Sequence, residues 1–166
     1  MTDYASNASL EAIADRLRQA RGDIVVITHA KPDGDALGST LALTLALHRI
    51  HKPAHAYFVA PVAESLAELD ADRNATVIEP DDEQALTRDA ALYVVVDTGA
   101  YGQLGPQRPA IESNLPRTIV IDHHLSGDVQ GHLRYIDGTA AACCEIVAIL
   151  VEKLLDASGW HKPIAE

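Results

Sequence analysis

Three short apolar runs, each closed by an acid or a histidine, constrain this chain more than anything else in it. DIVVITH (23–29), ALYVVVD (91–97) and RTIVID (117–122) are rich in β-branched residues and carry apolar side chains on both faces of an extended backbone. A strand apolar on both faces belongs in the interior of a sheet covered on both sides, which is the habit of parallel sheets. Between these runs the periodicity turns helical. Leu10, Ile13, Ala14 and Leu17 share one face of a helix over 9–21, stopped by Gly22. A long apolar helix over about 36–50 ends in HRIHKP, and the final helix spans about 139–157. Further strands are predicted at about 54–59 and 76–79, with a helix over 61–70 opening at Pro61. A Gly/Pro-rich loop, 98–109, precedes one more short helix. Strands alternating with helices at this spacing predict an α/β fold, a mostly parallel β-sheet flanked by helices on both faces. A length of 166 residues fits one such domain, residues 1–166.

In a parallel sheet the carboxyl ends of all strands reach one edge, where α/β folds bind their ligands. The loop after the first run, THAKPDGDALGST, holds His29, Asp33 and Asp35 as H-x3-D-x-D. Asp33 and Asp35 stand two apart, so an extended backbone would send both carboxylates to one side. Two such carboxylates repel unless a proton or cation lies between them. Asp97 closes the second run, and Asp122-His123-His124 the third. Along an extended segment Asp122 and His124 face one way and His123 the other, so one imidazole can ligate a metal while its neighbour faces substrate.

Simpler readings exist for each piece: a polar turn capping the next helix, an N-cap aspartate, a surface pair of histidines. Two nucleotide and metal motifs fail on the letters. Leu37-Gly38-Ser39 lacks the lysine of a phosphate-binding loop. A calcium loop begun at Asp33 would have Leu37 in its fifth position and Thr44 where it needs Glu. Jointly, His29, Asp33, Asp35, Asp97 and His123 are predicted to converge on one crevice. Imidazole and carboxylate ligands without thiolate favour Mn²⁺, Mg²⁺ or Fe²⁺, with Zn²⁺ as an alternative. Three acids and two imidazoles suit two ions sharing one carboxylate, and Asp97, from the middle strand, is the expected bridge.

Charge narrows the partners. Thirteen Lys and Arg against 24 Asp and Glu give a net charge of −11, a poor grip for long duplex nucleic acid. Aromatic residues make up 4% of the chain, too few for a single-strand stacking platform. Adjacent Cys143 and Cys144 are unsuited to a mutual disulfide and read as small, reduced hydrophobes. With neither a basic-then-apolar N-terminus nor an apolar run near the ~20 residues of a membrane span, a cytoplasmic protein without membrane contact is expected. His48, His51 and His55 cluster at a helix end, where complementing its dipole is preferred to a second metal site. Ile146, Val147, Leu150 and Leu154 read as core packing, with a homodimer face as the alternative.

VITHAKPDGDALGS, YVVVDTGAYGQLG and IVIDHHLSGD resemble, in order, the first three motifs of the DHH phosphoesterase superfamily. The similarity is to its RecJ-like branch, which includes phosphodiesterases of short oligoribonucleotides that also dephosphorylate 3′-phosphoadenosine 5′-phosphate. It covers roughly residues 10–160. The resemblance implies one Mn²⁺ on His29, Asp33 and Asp97, and another on Asp35, Asp97 and His123, with Mg²⁺ as a substitute. Asp122 would orient a histidine from behind, and His124 would face the scissile phosphate as a catalytic residue alongside Asp97. The implied substrate is a short oligoribonucleotide or another small phosphate compound, with cyclic-dinucleotide products and polyphosphate also open.

The chain departs from the family pattern in three places. Gln103 stands where Arg is usual, Gly127 where Asn is common, and Ala140 to Glu145 reads AAACCE where Ser and Thr are typical. The family continues into a further metal-binding strand and a C-terminal substrate domain, so the chain is read as an N-terminal DHH domain truncated before both. The contrasting readings are a non-catalytic metal- or nucleotide-binding module and the incomplete half of a longer enzyme.

Overall fold

A computed structural model describes residues 4–70, 74–82 and 89–156. The elements follow in chain order as α1 (Leu10–Arg18), β1 (Ile24–Ile27), α2 (Gly34–Arg49), β2 (Ala54–Val59), α3 (Glu64–Ala67), β3 (Ala75–Ile78), β4 (Leu92–Val96), α4 (Arg108–Glu112), β5 (Thr118–Asp122), β6 (Leu133–Ile136) and α5 (Cys143–Asp156). Among the described residues the strands form one six-stranded sheet, ordered β3-β2-β1-β4-β5-β6. Every neighbouring pair is parallel. The predicted α/β architecture is therefore the one observed, and the sheet is parallel throughout.

The apolar runs explain the layers. All four residues of β1 are fully buried. Ile24 and Val26 pack with α1, α2 and α5, while Val25 and Ile27 join the opposite cluster with Leu104, Ile111 and Val129. Three long helices thus cover one face, whereas the short α4 and flanking 3-10 turns cover the other. Ile146, Val147, Leu150 and Leu154 are buried in the first cluster, so that stripe is core.

Two expectations need correction. No helix opens at Pro61: Ala60 N–H still donates to Ile78 O at 2.8 Å, holding the chain to β3, and Ala63 is extended, so the helix begins at Glu64. A strand was not expected at 133–136, yet β6 pairs with β5 there. Its half-buried LRYI lacks the fully apolar signature of the inner strands because it is the last strand on its side of the sheet. The remaining boundaries shift at their ends; the last helix starts at Cys143 rather than 139. The tail 158–166 lies outside the described residues, and among those residues no helix is long and apolar enough to cross a membrane.

The segment preceding α1 borders β6 on its open side. Asn7 N–H donates to Arg134 O (3.0 Å), Arg134 N–H to Asn7 Oδ1 (2.6 Å) and Ile136 N–H to Ser6 Oγ (2.7 Å). Polar side chains here satisfy backbone groups that a sheet edge otherwise exposes.

Candidate metal centre

The strand order reverses direction between β1 and β4, the point at which open α/β sheets form their crevice. His29 follows β1, Asp97 follows β4 and His123 follows β5, three adjacent parallel strands. With Asp33, Asp35 and His124 they line an open pocket of about 420 Å³, which Gln103, Ala141 and Ala142 complete.

Asp97 lies at its centre. Its N–H still pairs with β5 through Ile121 O (3.1 Å), but its φ of +56° turns the chain out of the strand. Asp tolerates this left-handed conformation better than most residues, and such strain concentrates at functional sites. The residue is 3% exposed. Oδ2 faces His29 Nε2 at 3.8 Å, and Oδ1 faces His123 Nε2 at 3.4 Å. Asp97 thus presents one oxygen to each histidine. Burial, followed by the charge of Asp35, pushes its carboxyl up to about 7.

Each histidine is tied through Nδ1. His29 Nδ1 lies 2.9 Å from Ala30 O, His123 Nδ1 3.4 Å from Ala140 O, and His124 Nδ1 2.7 Å from Asp122 Oδ1. Carbonyl and carboxylate oxygens only accept, so each Nδ1 carries a proton, which leaves Nε2 as the nitrogen able to ligate a cation or exchange a proton. Nε2 of His29 and of His123 then faces the acids. Burial lowers the His124 pKa, but the Asp122 hydrogen bond and charge outweigh it and hold the imidazole above its usual value.

The two acids of the first loop have distinct settings. Asp33 is the N-cap of α2: its Oδ1 accepts from Asp35 N–H and Ala36 N–H, both at 3.0 Å. Capping and lining the pocket therefore coexist in one carboxylate. Asp35 sits in the first turn of α2, so helical rather than extended backbone sets its direction. Both its oxygens meet the start of α5: Cys143 N–H donates to Oδ2 and Cys144 N–H to Oδ1, each at 2.7 Å. Burial raises the Asp35 pKa, but hydrogen bonds from Cys144 and Cys143 overcome it and hold the carboxyl below its ordinary value.

Two groups of donors fit a cation: His29–Asp33–Asp97 and Asp97–His123–His124, each with ligand atoms within 4.8 Å of one another. Asp35 belongs to neither tight group and lies 3.7 Å from His123 Nε2. Separations of about 3–4 Å between donors are what ligand distances of ~2.0–2.2 Å produce around one ion. Asp97 Oδ1 is buried without a hydrogen-bond partner, a costly state that a cation relieves. The donor set therefore fits a divalent metal. His48, His51 and His55 join neither group; His48 Nε2 lies 2.7 Å from Ala54 O, tying the end of α2 to β2. Both cysteines are free thiols, Cys143 buried and Cys144 half-buried.

Two groups escaped the sequence. The helix start at Cys143–Cys144 holds Asp35, and Tyr4 Oη donates to Asp122 Oδ2 at 2.6 Å across 118 residues. No local signal marks either contact. The departure at Gly127 has a steric reason, since a Cβ there would run into Gly99 O and lie 2.7 Å from the Tyr4 ring. At Gln103, the side-chain Oε1 accepts from Thr98 Oγ1 (2.9 Å) and the backbone O accepts from Ala30 N–H (2.7 Å), which steadies the loop beside His29.

Comparison with known proteins places the chain among relatives. Residues 23–166 match the DHH family, N-terminal domain. The bifunctional oligoribonuclease and PAP phosphatase NrnA of Thermus thermophilus is 32% identical over 145 residues, covering 87% of this chain and 41% of that protein. The Bacillus subtilis protein of the same name is 30% identical over 124 residues, covering 75% and 36%. The chain thus spans well under half the length of these relatives. Among solved structures, an exopolyphosphatase-related protein from Bacteroides fragilis superposes with a TM-score of 0.77 at 21% identity, covering 93% of this chain and 46% of that one. Exonuclease RecJ bound to manganese gives 0.57 at 18%, covering 94% and 40%.

Proposed function

The chain belongs to the DHH family, and on that premise we propose that it is the metal-binding domain of a divalent-cation-dependent phosphoesterase acting on short oligoribonucleotides or small phosphates such as 3′-phosphoadenosine 5′-phosphate. One observation carries the reading: a buried carboxylate, Asp97, offers one oxygen to a donor from β1 and the other to a donor from β5. That arrangement supports two cations sharing Asp97, one on His29 and Asp33, the other on His123 and Asp35. The manganese named with RecJ and the donor chemistry favour Mn²⁺, with Mg²⁺ as a substitute. Cations held by these residues would supply neutralisation of phosphoryl oxygens and an activated water for in-line attack on phosphorus.

The chain's own residues do the rest. Three carboxylates in one pocket repel a phosphate until cations offset them, so substrate binding is metal-dependent. His124 Nδ1–H stays with Asp122, which leaves Nε2 as the atom that exchanges a proton with the leaving oxygen. The pocket volume suits a nucleotide or a short oligomer end, and the net charge of −11 disfavours a long duplex.

The test is Mn²⁺-dependent hydrolysis of a 5′-phosphorylated diribonucleotide by wild type and by Asp97→Asn. Turnover in wild type and its loss in the variant are expected; normal rates in the variant would remove Asp97 from the mechanism. The neutral Gln103 at the pocket favours a second reading, a module that binds nucleotide without turning it over. Binding at saturating Mn²⁺ with no product would select that reading.

A further inference from the structure

We propose that Tyr4, on the segment ahead of α1, is a positioning residue that holds Asp122 and through it fixes the tautomer and orientation of His124. Asp122 is fully buried, and both its oxygens are committed. Oδ1 takes the His124 Nδ1 proton (2.7 Å) and the His123 backbone N–H (2.9 Å), while Oδ2 takes the Tyr4 hydroxyl at 2.6 Å. A buried carboxylate left short of donors turns or draws in water, and either response loosens the imidazole it holds.

The loops beside this contact are closely packed. A Cβ at Gly99 would lie 2.8 Å from Ser126 O and 3.1 Å from the Tyr4 hydroxyl, and one at Gly127 would run into Gly99 O and lie 2.7 Å from the Tyr4 ring. Close backbone approach of two loops, made possible by glycine, thus forms the slot that holds the ring. The slot lies in the loops following β4 and β5. Tyr4 is delivered by the segment that Ser6 and Asn7 bind to β6, so the outer strand indirectly supports the centre. The burial of Tyr4 and its bond to Asp122 push its phenol well above the ordinary range, keeping it a neutral donor. A tyrosine packed only for stability would need no buried acceptor for its hydroxyl.

The functional consequence rests on the proposed phosphoesterase reading; the geometry does not. The test is Tyr4→Phe, which keeps the ring in its slot and removes one hydroxyl. Long-range ¹H–¹⁵N spectra of the metal-free chain, recorded at a pH where the imidazole is neutral, are expected to show His124 as a single Nδ1-protonated tautomer in wild type and as a tautomer mixture in the variant. Turnover of the diribonucleotide is expected to fall about tenfold in kcat, with KM and Mn²⁺ affinity within twofold, the scale seen when a partner behind a ligand or acid is removed. An unchanged His124 spectrum overturns the proposal, and so does an unchanged kcat. Should the wild-type chain lack turnover, the phosphoesterase reading fails while the spectra still decide the role of Tyr4.

Discussion

Asp35 Oδ1 accepts the backbone N–H of Cys144 at 2.7 Å, so a carboxylate of the pocket also caps the helix that begins 108 residues after it. Its partner oxygen takes the neighbouring Cys143 N–H. Anions at a helix start satisfy orphan donors and complement the dipole. One side chain therefore couples the stability of α5 to the state of the centre.

Asp35→Asn is expected to lower the stability of the metal-free chain by about 1–2 kcal/mol, the usual worth of a cap, and its Tm by about 3–6 °C. The measurement belongs near pH 5.5, where Asp97 is protonated and relief of Asp35–Asp97 repulsion does not mask the loss. A thermal melt in chelator that matches wild type would show the two N–H groups to be satisfied otherwise.

Asp97 sets the acid side of the stability profile. Its folded value, about 7, stands above the ordinary 3.8, so its contribution is fully present below about 3.8 and is lost as pH rises through 7. Chelated wild type should therefore lose stability between about pH 4 and 7, and Asp97→Asn should flatten that segment. Asn also tolerates the positive φ. His124, likewise held above its ordinary value, keeps a decline of the same sign above pH 6.5 in both proteins. Parallel melting curves across pH 4–7 would contradict the burial argument.

The two tight donor groups and the proposed ligand pairs differ over His124 and Asp35, and titration calorimetry separates them. Asp35→Asn is expected to bind one Mn²⁺ per chain fewer than wild type. His124→Ala should keep the wild-type stoichiometry while kcat falls by a factor of about 10²–10⁴, the scale of a lost general acid. The reverse pattern would make His124 a ligand and Asp35 a helix cap alone.

Gln103 lines the pocket with its Oε1 already accepting from Thr98 Oγ1, so an amide N–H is what it has to give a phosphate oxygen. Gln103→Ala should raise KM about fivefold and leave kcat within twofold, as expected of a contact made equally in ground and transition states. An unaltered KM would leave Gln103 with only its backbone role at Ala30.

Much of this could be read along the chain. β1, β4 and β5 announce themselves because burial on both faces demands apolar residues at every position, and a parallel sheet then brings their closing residues to one edge. His29, Asp97 and His123 follow from that logic alone. Pro61 misled, since a residue favoured in a first helical turn here lies in the connection between β2 and the helix that begins at Glu64. The edge strand β6 stayed hidden because half-burial leaves a mixed pattern.

Strand order lay beyond the letters: that β1 and β4 are neighbours, with β5 alongside, depends on which faces pack, not on any local pattern. So did the directions of side chains. The left-handed turn at Asp97 aims its two oxygens apart, α5 brings donors to Asp35, and Tyr4 reaches Asp122 across 118 residues. Residue types and strand ends are local properties, written in apolar periodicity. The pairing of one lone pair with one proton across the fold exists only once the layers have closed around it.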